Sequence, residues 1–164
     1  MADVPADRHR LGRGEEADRS VRGQGTVKLL DANVFIYAEG RDHPYREPCR
    51  TVLRTARADP AAFGVDVELV QEILDVYQRR EGATKAVTAA ASVLALFFDP
   101  FPITMVEIEQ TMRLLVPRSR LSPRDAIHAA VCLTNGLEGI LSADKAFDRV
   151  PGVTRFDPLK LAGP

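Results

Sequence analysis

From Val27 onward the chain alternates short apolar runs with longer amphipathic stretches, and this alternation restricts its fold more than any other feature. The runs Val27 to Asp31, Ala61 to Asp66, Phe101 to Val106, Gly139 to Asp144 and Val153 to Asp157 have the length and apolar content of strands. Between them, Pro44 to Ala58, Val67 to Arg80, Ala83 to Phe98, Glu107 to Leu115 and Ser122 to Gly136 carry helical spacing. The last of these opens on Ser-Pro and closes on Asn-Gly, a start signal and a stop signal in the right order. Strands that alternate with helices imply an α/β fold whose sheet is mainly parallel and covered on both faces.

Upstream of Val27 the pattern vanishes. Met1 to Gly25 holds five Arg, five acids and four Gly with only scattered aliphatics, so no apolar face can form and residues 1–26 are expected to be a disordered tail. The expected folded domain covers residues 27–158, with a short tail over 159–164. With 164 residues and 45% hydrophobic content, one domain with one core is the natural expectation. Cys49 and Cys132 are far apart and form no C-x-x-C pair, which argues against a disulfide framework or a thiolate metal site and fits a reducing, cytoplasmic setting. The longest apolar stretch, Val87 to Phe98, is too short to span a membrane. A net charge of -1 lacks the basic excess of a protein held to nucleic acid by charge alone.

Four acids stand where the pattern can bring them together. Asp31 and Asp144 end apolar runs, and in an open parallel sheet ligands bind at the carboxyl ends of strands. Either one could equally be a helix cap or turn residue. Asp125 follows Ser122-Pro123-Arg124, so it is placed to cap a helix, yet Ala126, Ile127, Ala129, Ala130, Val131 and Leu133 make that helix apolar nearly all round. An acid at the start of so buried a helix needs a cation or hydrogen-bond donors. Glu72 falls on the edge of the stripe Leu69, Val70, Ile73, Leu74, Val76 and Tyr77, whereas Glu68 and Asp75 are expected to lie farther round toward solvent.

Four carboxylates in close proximity repel one another unless a cation compensates them. An oxygen-only set without a Cys or His cluster favours Mg²⁺ or Mn²⁺ over zinc. Such a site supports phosphoryl transfer by metal-activated water.

The segments D-A-N-V-F-I-Y from Asp31 to Tyr37, Q-E at Gln71-Glu72, S-P-R-D-A-I-H-A-A from Ser122 to Ala130 and L-S-A-D-K-A-F-D from Leu141 to Asp148 resemble the PIN-domain family. Within it they are most similar to the VapC-like toxins of bacterial toxin-antitoxin pairs, and the resemblance runs from about Val27 to Pro158. It implies a three-layer α/β/α fold, endoribonuclease activity dependent on Mg²⁺ or Mn²⁺, an RNA substrate, a protein antitoxin as partner and a homodimer. By motif match, Asp31, Glu72, Asp125 and Asp144 take the family's catalytic, metal-binding positions, Asp148 is a further metal candidate, and Asn33 and Ser142 take supporting polar positions.

The match departs from the commonest toxin pattern at Arg124 and at His128, the latter standing where an aliphatic residue is frequent. His128 lies one turn from Asp125 but about 60° off its line, so a packing or hydrogen-bonding role is expected of it. Arg118, Arg120, Arg124 and Lys145 lie near two of the acids in sequence and are candidates for RNA phosphate contacts. The helical hairpin around Gly82 carries more apolar side chains than it can hide by itself, which leaves room for a groove that takes an amphipathic partner helix. Two other readings compete. A phosphatase of the haloacid-dehalogenase type needs a second Asp where this chain has Asn33, and a PIN-like module that only binds partners would not need all four acids.

Overall fold

The computed structural model describes residues 26–116 and 121–161; the expected N-terminal tail lies outside them except for Thr26, and so do Arg118 and Arg120. Four strands form one parallel sheet: β1 (Lys28–Leu30), β2 (Phe63–Gly64), β3 (Gly139–Leu141) and β4 (Arg155–Phe156), in the order β2-β1-β3-β4. Seven α-helices are interleaved among the described residues: α1 (Ala32–Glu39), α2 (Arg46–Ala58), α3 (Val67–Glu81), α4 (Ala83–Leu96), α5 (Met105–Leu115), α6 (Pro123–Thr134) and α7 (Pro158–Leu161).

The strand alternation divides the core in two. Leu30 and Leu141 point to one face, where they pack with residues of α1, α2, α3 and α4. Their neighbours Leu29 and Ile140 point to the other face, where Ala129, Val131 and Cys132 of α6 cover them. Successive side chains of a strand face opposite ways, so a two-sided sheet needs both residues of each pair to be apolar. The result is the three-layer α/β/α arrangement that the motifs imply.

Gly139 lets β3 lie close beside β4. Its φ is +155°, and a Cβ there would come within 2.1 Å of the Thr154 carbonyl oxygen.

Three elements differ from the sequence expectation. Phe101 to Val106 does not form a strand: Phe101 makes a single parallel bridge to Asp66, and Thr104 starts α5 through a capping box with Glu107. The T-x-x-E signal there outweighs the apolar, β-branched run. Helix α1 goes unmarked by periodicity because ANVFIYAE is apolar on every side and shows no single stripe. At the other end, α7 packs on α2 with Pro158 buried, so regular structure continues to Leu161, past the expected boundary at 158.

Candidate active site

The sheet order places β1 and β3 side by side although their sequences are far apart, with Leu30 opposite Leu141. Just beyond them, the backbone N–H of Asp31 donates to the Leu141 carbonyl at 3.1 Å, tying the two strand ends together. The chain leaves β1 toward β2 on one side and comes back much later to β3 on the other. This reversal of strand order opens a crevice at the carboxyl ends. A pocket at that point is lined by Asp31, Asn33, Tyr37, Glu72, Ser122, Arg124, Asp125, Ala143 and Asp144.

Each of the three aspartates both caps a helix and faces this pocket, so the two readings open in the sequence are compatible. Asp31 caps α1 by accepting from the Asn33 amide at 3.4 Å. Asp125 closes a capping box with Ser122, whose Oγ accepts from the Asp125 amide at 3.1 Å. Asp125 Oδ2 takes the return bonds from the Ser122 amide and hydroxyl. Asp144 Oδ1 accepts from the Ala146 amide at 2.8 Å, at the start of a 3₁₀ turn over Lys145–Arg149. In Asp125 and Asp144 the other carboxylate oxygen accepts no hydrogen bond among the described residues and stays available to a ligand.

Asp31 is the most enclosed of the set, at 6% exposure. Burial pushes its carboxyl up to about 6, against the opposing pull of the His128 charge and the Ser142 hydrogen bond, while Glu72 adds to the rise. Ser142 Oγ and Asn33 Nδ2 both donate to Asp31 Oδ2, and Asn33 Nδ2 also reaches Ser142 Oγ at 2.9 Å. Ser142 Oγ accepts in turn from the Asp144 amide at 2.9 Å. These two polar residues therefore join the first acid to the last.

Glu72 comes from α3 and is partly enclosed, with its side chain 23% exposed. Its Oε2 lies 3.8 Å from His128 Nε2. The other ring nitrogen of His128, Nδ1, is 2.7 Å from Asp66 Oδ2. Asp66 is fully buried, and its Oδ1 caps α3 by accepting from the Leu69 amide at 2.8 Å. Burial disfavours a charge on His128, but the Asp66, Glu72 and Asp31 carboxylates together raise its pKa well above the ordinary value. Sequence reasoning placed His128 in a packing or hydrogen-bonding role, which fits, but passed over Asp66. The signal was present: Phe63 to Asp66 is an apolar run ending in Asp, as at Asp31 and Asp144.

The cation candidates fare differently. Arg124 lines the pocket but is held by Glu68 at 3.5 Å and Asp75 at 3.3 Å, so it braces α6 against α3. The same contacts correct the expectation that Glu68 and Asp75 turn toward solvent, since their side chains are only 17% and 24% exposed. Lys145 is exposed beside Asp144. Asp148 does not line the pocket; its carboxylate pairs with Arg155 at 2.7 Å, and Arg155 also donates to the Ser142 carbonyl at 2.9 Å. Among the described residues, no helix is long and apolar enough to cross a membrane.

Comparison with known proteins gives one consistent picture. A family model described as PIN domain matches residues 28–153. The chain is 30% identical over 131 residues to Ribonuclease VapC13 of Mycobacterium tuberculosis, an alignment covering 78% of this chain and 98% of the relative. Among solved structures it is similar to VapBC2 from Rickettsia felis bound to a DNA fragment from its promoter, with TM-score 0.63 and 10% identity over 80% of this chain and 98% of that one. It is also similar to a toxin-antitoxin complex from Klebsiella pneumoniae, with TM-score 0.55 and 19% identity over 77% of this chain and 95% of that one.

Proposed function

The chain belongs to the PIN-domain family, and from that premise we propose that it is a metal-dependent endoribonuclease, the toxin of a toxin-antitoxin pair, acting through Asp31, Glu72, Asp125 and Asp144. The observation that carries this reading is the convergence of the four carboxylates on one pocket at the reversal of strand order. The donor set fits a hard divalent cation. The nearest guanidinium, Arg124, is engaged elsewhere, so the carboxylates outnumber the fixed cations facing them. Mg²⁺ or Mn²⁺ bound here would supply charge neutralisation and activation of water for attack on a phosphodiester.

The chain's own residues do the rest. Asn33 and Ser142 hold the Asp31 carboxylate in one orientation, and the Ser142 link to the Asp144 amide sets the spacing of the two acids. Capping by Asp125 and Asp144 fixes one oxygen of each and presents the other to the pocket. Lys145, exposed at the rim, is placed to hold a substrate phosphate.

The antitoxin belongs to this proposal as well. A groove lined by Phe35 and Glu39 of α1, Leu53 and Arg57 of α2, Tyr77 of α3 and Leu96 of α4 has the mixed apolar and charged lining suited to an amphipathic helix. Incubating the purified protein with RNA, with and without Mn²⁺, tests the reading. Cleavage that requires metal and disappears in Asp31→Asn supports it; a protein that binds a partner but cuts no RNA in any metal is an interaction module instead.

A further inference from the structure

We propose that His128 is a nitrogen ligand of the cation held by Asp31 and Glu72, which makes this a mixed imidazole-carboxylate centre that prefers Mn²⁺ to Mg²⁺. The proposal rests on the metal-site reading above and deepens it, since the four-acid set is oxygen-only.

The geometry around the ring points to this role. His128 is 1% exposed, and Nε2 is a buried nitrogen with no hydrogen-bond partner. One donor atom from each of Asp31, Glu72 and His128 lies within 4.8 Å of the others. Three donors no more than 4.8 Å apart lie within about 2.8 Å of a common centre, so inward shifts of up to about 0.7 Å bring them to bonds of about 2.1 Å.

Asp66 supplies the second part of the argument. A ligating histidine donates its other ring N–H to a carboxylate, which fixes the tautomer and raises the basicity of the free nitrogen. Asp66 Oδ2 at 2.7 Å from Nδ1 is that partner, and it leaves the Nε2 lone pair aimed at the acids. A histidine that only filled space would leave a buried polar nitrogen unsatisfied at a cost of about 1–3 kcal/mol, which an aliphatic residue avoids.

Imidazole is a poor ligand for Mg²⁺, which keeps to oxygen, and a better one for transition ions. The test uses the full chain loaded with Mn²⁺ and read by electron spin echo envelope modulation. Wild type is expected to show modulation from a directly bound ¹⁴N that is lost in His128→Leu. In that variant the Mn²⁺ dissociation constant should rise roughly 10- to 100-fold, with less than about a threefold change for Mg²⁺. If His128→Leu does not fold, the His9→Ala, His43→Ala protein decides, because His128 is then its only histidine: replacing ¹⁴N by ¹⁵N in histidine must change the modulation. Mn²⁺ binding without nitrogen coupling overturns this inference and leaves the ribonuclease reading standing. Failure to bind Mn²⁺ at all overturns both.

Discussion

Asp66 and His128, 62 residues apart in sequence, meet at 2.7 Å with neither side chain more than 1% exposed. Removing one partner of such a pair strands the other as an uncompensated buried charge, at about 3–5 kcal/mol. Asp66→Ala also loses the cap of α3. Its melting temperature should fall by roughly 10 °C or more. The His128 pKa is raised on folding, so its stabilising share is complete below about pH 6.5, its ordinary value, and declines as pH rises through the folded-state value. The loss in Asp66→Ala is therefore expected to be larger at pH 6 than at pH 9, and a loss under 1 kcal/mol at pH 6 would count against a charged pair.

Asp31 also makes stability fall as pH rises, over a lower range. Its carboxyl rises from 3.8 to about 6 on folding, so the native state holds its proton more tightly than the unfolded chain does. Stability of the metal-free protein should then decrease between about pH 4 and pH 6, by up to about 3 kcal/mol from this group, and stay lowered above that. Asp31→Asn removes this decline, so in a chelator at pH 7 the variant should melt higher than wild type. Unfolding curves across that range check the sign.

Divalent metal reverses the ranking. If Mg²⁺ binds with a dissociation constant of about 1 mM, then about 10 mM free ion adds roughly 1.4 kcal/mol, a melting shift of a few degrees for a domain of this size. Wild type should gain that shift and the Asp31→Asn, Asp125→Asn double variant should not. An equal shift in both would falsify a shared site.

Attack by water does not use the ribose 2'-hydroxyl, so the proposed reaction leaves 5'-phosphate and 3'-hydroxyl ends. End-group analysis of the products is a direct check. Cyclic 2',3'-phosphates would mean internal attack by the ribose and would exclude the mechanism while leaving the fold untouched.

Expression of the chain alone in a bacterial host is expected to arrest growth, and co-expression of its antitoxin to restore it. Asp31→Asn should be harmless. If that variant is as harmful as wild type, the toxicity has another origin.

Three of the four candidate acids were legible in the sequence because each sits at an element boundary, where a local signal exists. An apolar run ending in Asp gave Asp31 and Asp144, and Ser-Pro-x-Asp gave Asp125. Glu72 followed from its position at the edge of a helical stripe. What local patterns could not show was pairing over long distances. Arg124 read as a free cation because its partners, Glu68 and Asp75, lie on another helix. The Asp66 to His128 contact escaped notice for the same reason. In the fold, the misread strand at Phe101 to Val106 shows apolar, β-branched composition losing to a cap that needs only two residues three apart.

The pairing of Leu30 with Leu141 also sets when the protein can act. During synthesis at about 5–20 residues per second, roughly 5–20 seconds separate the emergence of Asp31 from that of Asp144. Until β3 has left the ribosome, the first acid lacks the Leu141 carbonyl that ties down its amide, has no Ser142 to orient it and no fourth carboxylate opposite. On the proposed reading, a nascent chain is thus inert toward the message and the ribosome that are making it until β3 and Asp144 have emerged.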